Sequence, residues 1–291
     1  MDYELPVWID KERLNWNELS RNRNAIHLLE KNPEKINWNW LSSNSNAIHL
    51  LAKNPDKINW DNLSSNPNAI HLLKKNPEKI NWDYLSVNPN AIHLLEKNFD
   101  KINWYYLSHN PCCIELLEKH PERINWIYLS CNPNAIHILE KKPEKIDWLW
   151  LSENPNAIHL LEKNLDKINW YRLASNRNPD ALKLLEQHPL HIWWSKLSSN
   201  PSAIHLLEKN PEKINWYGLS RNKNAIHLLE KNPEKYVLQW ISGNPSLFNK
   251  VINYKRLTER MNVIREELMM KCMHPRRLKR WIGMGGNIDD F

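Results

Sequence analysis

The chain has 291 residues, a net charge of +7, four cysteines and only five glycines. The cysteines, two of them adjacent at Cys112 and Cys113, build no disulfide framework and suit a reducing, intracellular compartment. No apolar run approaches membrane-spanning length, the acidic start MDYEL is no signal peptide, and so few glycines leave no nucleotide loop.

Residues 1–15 read as an N-terminal cap, in which Leu5, Val7, Trp8 and Ile9 can cover the open end of a helical stack. From there one phrase repeats. Ile-Asn-Trp returns every 22 residues, and the step holds through Trp16, Trp38, Trp60, Trp82, Trp104, Trp126, Trp148 and Trp170. It slips by two residues to Trp194, recovers at Trp216, and Leu238 takes the tryptophan place in the last of eleven copies. A fixed period in this range means a stacked array in which each unit buries its apolar face only against its neighbours.

The copy from Asn81 to Pro111 shows what one unit should be. Asn81 can cap a short helix that Trp82 opens and Leu85 closes, with Asp83, Tyr84 and Val87 pointing away from the core. Asn88-Pro89 should start a second helix of about eight to ten residues, and Asn98 is a good left-handed stop. Ala91, Ile92, Leu94 and Leu95 share one side of that helix, and His93, Glu96 and Lys97 fall on the other. A leucine-rich repeat has a similar period, but Asp83 stands where its strand leucine belongs. The expectation is an all-α solenoid of helix pairs over 16–244, irregular near 170–197. With helices about 8–10 Å apart it would span on the order of 100 Å.

In the eighth copy Arg177-Asn178 read as extra residues, and His191, Trp193 and Trp194 replace the usual Lys, Asn and Trp setting. A local change of superhelical path is expected there. Residues 245–291 read as a C-terminal helical cap, with an amphipathic helix over 255–272 carrying Leu257, Met261, Ile264 and Leu268 on one side. This stretch holds ten Lys and Arg against five Asp and Glu, so the array itself is nearly balanced.

The phrases Asn-Pro-x-Ala-Ile-x-Leu-Leu-Glu and Ile-x-Trp-x-x-Leu-Ser, and the ending His-Pro-Arg-Arg-Leu…Trp-Ile…Gly-Gly…Ile-Asp-Asp, resemble short tandem-repeat proteins of large and giant DNA viruses, mimivirus-like ones among them. The resemblance covers nearly the whole chain and implies a repeat protein of the host cytoplasm or virion. It carries no activity with it.

Positions that vary between copies are free to carry specificity. Three places vary most, the two residues after each Trp and the one before the Asn-Pro, and in the central copies the first two are rich in rings and aliphatics. Tyr84, Tyr105, Tyr106, Tyr128, Trp150 and Tyr171 would form an aromatic stripe along the outer face of the short helices, a pattern that interface hot spots use. The alternative is that these rings pack across repeats and stiffen the array. His27, His49, His71, His93, His137, His159, His205 and His227 form a ladder, read first as framework residues bonded to a neighbouring copy, then as a pH-sensitive row, last as metal ligands. His109, Cys112, Cys113 and Cys131 hold zinc-ligand chemistry, but a core-facing Cys113 argues against a zinc site. The Glu-Lys rows read as a solvated, ion-paired flank. The basic run Arg276, Arg277, Lys279 and Arg280 could meet phosphate, but a solvated cap face is the simpler reading.

Every polar residue of interest recurs as a repeat position, the opposite of a single catalytic constellation. The sequence therefore points to a non-enzymatic scaffold, with no cofactor and no metal, that binds a protein partner along its outer surface. A structural role through self-association or virion proteins is the second expectation. Nucleic-acid binding through the basic cap is the third, and the near-neutral array counts against it.

Overall fold

A computed structural model describes residues 2–251 together with 263, 265–267 and 270. The chain divides into two compact units: Leu5–Phe248, and Met1–Glu4 with Asn249–Phe291. These boundaries lie nearer the chain ends than the expected caps at 1–15 and 245–291 would place them. In the smaller unit, strand β1 (Asp2–Glu4) pairs antiparallel with strand β2 (Asn249–Val251). Val263, Arg265, Glu266, Glu267 and Met270 are helical and exposed, while the apolar side expected for that helix lies outside the described residues.

The larger unit is the helical solenoid. In one copy a Trp helix (Trp82–Ser86) leads through a turn into a His helix (Ile92–Lys97), then a 3-10 turn (Phe99–Lys101), then extended Ile102 and Asn103 before the next Trp helix. The Asn81 side chain caps the Trp helix as expected, accepting the Tyr84 N–H at 3.2 Å. Leu85, Ala91 and Leu95 are fully buried, and their equivalents in the other copies form the core.

The His helix is shorter than the sequence suggests, because Asn88 is spent elsewhere. Its Oδ1 accepts the Asn90 N–H at 3.0 Å, closing a local turn, and its Nδ2 donates to Ser64 and Asn66 carbonyls of the preceding copy, both at 2.9 Å. The helix cannot begin until the chain leaves that turn at Ala91. Nor is Asn98 left-handed: it has φ −131° and ψ 53°, and its Nδ2 donates to the Leu94 carbonyl at 2.9 Å. The 3-10 turn, which no sequence signal had suggested, sets Lys101 over the Trp82 ring of the preceding copy at 4.8 Å.

A buried asparagine in every copy, and a buried serine in all but the eighth, join the repeats. Asn22, Asn44, Asn66, Asn88, Asn110, Asn132, Asn154, Asn176, Asn200, Asn222 and Asn244 are all at most 2% exposed. A buried amide is tolerable only when satisfied, and each of these donates to backbone carbonyls of the copy before it. The buried serine at the end of the Trp helix works the other way. Ser86 Oγ donates to Trp82 O at 2.8 Å and accepts the Asn103 N–H of the following copy at 3.1 Å.

The same bonds run from the last copy to the first. Asn15 N–H donates to Ser242 Oγ at 3.0 Å, as Asn37 does to Ser20 Oγ at 3.0 Å. Asn22 Nδ2 donates to the Ser242 and Asn244 carbonyls at 3.1 and 2.9 Å, as Asn44 does to Ser20 and Asn22. Asn24 Nδ2 reaches Pro245 O at 2.7 Å. Residues 5–248 therefore close into a ring of eleven Trp helices rather than the open, roughly 100 Å surface expected from helix spacing. The joining copy is composite. Leu247 and Phe248 fill the buried Ala and Ile places from one end of the chain, while the 3-10 turn Lys11–Arg13 and buried Leu14 enter from the other. Trp8 packs edge-on against Tyr236 across this seam, Ile9 is buried and Val7 is fully exposed, so these residues complete a repeat instead of capping an open end.

Closure also fixes inside and outside. Successive Trp helices and Asn turns approach closely: a Cβ added to Gly218 would lie 2.9 Å from the Ser195 carbonyl of the preceding Trp helix. Successive His helices are bridged instead by long side chains, such as His159 to Glu140 at 2.8 Å. In a ring the layer with the shorter spacing lies nearer the axis. The Trp helices line the inner side, and the His helices the outer.

The eighth copy absorbs its insertion without breaking the ladder. Asn178 Nδ2 donates to Pro155 O at 2.6 Å, the bond that Asn156 makes to Pro133 O, so register persists through Asn178. The two added residues are Pro179 and Asp180, not Arg177 and Asn178. They extend the His helix to Pro179–Gln187, with Asn178 as its cap. Asn200 still reaches the Ala174 and Asn176 carbonyls at 3.0 and 2.8 Å.

Candidate binding face of the Trp helices

The expected aromatic stripe resolves into two rows with different roles. In the sixth to eighth copies the second position after each Trp faces the neighbouring copy, whereas Tyr84 and Tyr106 at that position are 46 and 39% exposed. Tyr128 and Trp150 are half-buried there, stacked at 5.8 Å, and Arg172 lies 4.1 Å over the Trp150 ring while pairing with Glu153 at 2.9 Å. Tyr105 joins this stack from the next row, 4.2 Å from Tyr128 and donating its hydroxyl to the Tyr128 oxygen at 3.0 Å. Tyr106 packs edge-on against Tyr105, and Tyr84 stands exposed one copy earlier.

The first position after each Trp is the open row. Tyr105, Ile127, Leu149 and Tyr171 are 45, 45, 43 and 42% exposed in four successive copies, and Trp193 extends them, edge-on to Tyr171 at 5.4 Å. Ile127, Leu149 and Trp193 were missing from the sequence-predicted contact. A contact drawn from rings alone passes over this aliphatic pair, which stands between Tyr105 and Tyr171 at the same repeat position. The row lies on the exposed side of the Trp helices, the inner of the two layers.

In the first four copies this same position serves the framework. Asn17, Asn39, Asp61 and Asp83 each accept a hydrogen bond from the capping Asn of the next copy, at 2.7, 3.3, 2.7 and 2.7 Å. From the fifth to the eighth copy a tyrosine or an aliphatic side chain stands there, and the bond from the next cap is not made. The cap that would have donated to Ile127 is Asp147, whose carboxylate has no N–H to place.

The histidine ladder lies on the outer layer. His49, His137, His159 and His227 pair with Glu30, Glu118, Glu140 and Glu208 of the preceding copies at 2.8–2.9 Å, and His205 lies 3.9 Å from Glu186. Ala52 and Lys74 occupy the glutamate place before His71 and His93, and His93 turns to Glu96 of its own helix at 3.5 Å. His27 packs edge-on against Phe248. These exposed pairs are each worth at most about 1 kcal/mol.

His109 Nδ1 and Cys131 Sγ do meet, at 3.1 Å. Burial lowers the His109 pKa against the opposing pull of Glu153, and burial pushes Cys131 up to about 11. Cys113 is fully buried, with its thiol pushed by burial to about 12, and Cys112 is exposed. Among the described residues no group of three His, Cys, Asp or Glu side chains could hold a metal ion, and no helix is long and apolar enough to cross a membrane. Arg276, Arg277, Lys279 and Arg280 lie outside the described residues. No known family model, curated protein or solved structure matches this chain.

Proposed function

We propose that the ring is a non-catalytic scaffold that binds an extended segment of a partner protein along Tyr105, Ile127, Leu149 and Tyr171, with Trp193 at one end. One observation carries this reading. Four successive copies give up a framework hydrogen bond that the first four make, and expose a tyrosine or an aliphatic side chain in its place. Stability does not ask for that exchange. A contiguous row of half-exposed tyrosine and aliphatic groups is what a partner's apolar side chains would cover. The spacing of neighbouring helices, about 8–10 Å, corresponds to two or three residues of extended chain per copy.

The test is selection from a displayed peptide library with the wild-type ring and with a variant carrying Tyr105→Ser, Ile127→Ser, Leu149→Ser and Tyr171→Ser. Helicity should match between the two. Wild type should enrich peptides with an apolar core, and the variant should not. Enrichment by neither, or equal binding of the enriched peptides to both, would overturn the proposal.

A further inference from the structure

We infer that the segment taken by this row is charge-polarised: basic where it meets the fourth copy and acidic where it meets the ninth. The inference rests on the binding reading above and adds the chemistry and orientation of the ligand.

It comes from the charges on the same face. Before the apolar row stand Asp61 and Asp83, both exposed. Each receives only a neutral amide N–H, from Asn81 and Asn103, so the negative charge is oriented but not cancelled. Within the row the charges are the capping Asp147, which accepts the Trp150 N–H, and Glu153 and Arg172, which neutralise each other at 2.9 Å. After it come Lys196, 5.0 Å over the Tyr171 ring, and Arg221, 4.1 Å over the Trp240 ring. Both cations rest on ring faces instead of carboxylates, which leaves them able to pair with an incoming acid. A segment lying along the row therefore meets two carboxylates at one end and two cations at the other. Opposite polarity would place like charges together at both ends, and charge complementarity of this kind sets register and orientation more than raw affinity.

The experiment uses fluorescein-labelled synthetic peptides built on the apolar core that wild type enriches from the library. One carries two Glu at one end and two Lys at the other, one carries Glu at both ends, and one carries Lys at both. Anisotropy at low salt should show the mixed peptide binding wild type at least fivefold more tightly than either of the others, with the gap narrowing at high salt. Lys196→Glu with Arg221→Glu should weaken the mixed peptide about tenfold and improve the peptide with Lys at both ends. Asp61→Asn with Asp83→Asn keeps the amide-accepting oxygen that Asn17 and Asn39 already provide, and should weaken the mixed peptide with folding intact. If all three peptides bind wild type within twofold, the polarity is wrong while the apolar reading stands. If the library yields no core at all, both fall.

Discussion

The side-chain amide of Asn22 donates to the carbonyl of Ser242, 220 residues further along the chain, at 3.1 Å. Asn110 makes the equivalent bonds inside the array, to Ser86 and Asn88 at 3.0 and 3.1 Å. The ring therefore has no weaker joint in its hydrogen bonding at the seam.

Asn22→Ala and Asn110→Ala should accordingly destabilise the protein to a similar degree. Each leaves two buried carbonyls of the preceding copy without a donor, at a cost of about 2–4 kcal/mol. Urea denaturation monitored by circular dichroism reads the difference. A nearly silent Asn22→Ala beside a damaging Asn110→Ala would mean an open array.

Two glycines should respond differently to alanine. The new Cβ at position 218 would lie 2.9 Å from the Ser195 carbonyl, a backbone atom held by the neighbouring Trp helix. That overpacking outweighs the roughly 1 kcal/mol that alanine gains over glycine in a helix, and a net loss of about 1–2 kcal/mol is expected for Gly218→Ala. At Gly243 the nearest atom is Glu18 Oε2 at 2.6 Å, the tip of a flexible side chain that can swing aside. Gly243→Ala should stay within about 0.5 kcal/mol of wild type. Thermal melts of the two variants check the ordering.

Ala174 stands where other copies place the joining serine, and the cap that would meet it is Trp193, which makes no side-chain capping bond. Ala174→Ser should restore the missing link by donating to Trp170 O and accepting the Trp193 N–H. The expected gain is about 1 kcal/mol, one net hydrogen bond. A loss of stability would mean that the insertion has moved these backbones out of reach.

Alkylation should separate the cysteines of the ring. Burial holds Cys113 and Cys131 at about 12 and 11, so at pH 8 both are thiols and poor nucleophiles. Cys112 is exposed. Peptide mapping after a short iodoacetamide pulse at pH 8 should find Cys112 modified well before the other two, and all three modified alike in denaturant.

The helices were legible in the sequence because their signals are local. The capping Asn81, the opening Trp82 and the closing Leu85 act within one turn of each other. Asn88 misled because it carries the same Asn-Pro signature as a helix cap, while its side chain is taken by carbonyls 22 and 24 residues away. The candidate face was half legible. Variation among copies located the two positions after each Trp, but which of them stacks inward on a neighbour and which stays open depends on packing that no single copy contains.

The sequence by itself determined the repeat, its helices and its count of eleven copies, because caps, prolines and apolar spacing act over a few residues. Only the tertiary structure decided that the array is a ring and that the Trp helices face its axis. A turn of about 33° per copy closes eleven copies, and a few degrees more or less would open them into a superhelix. That angle is set by the unequal spacing of two packed layers, so it accumulates between copies and is written within none of them.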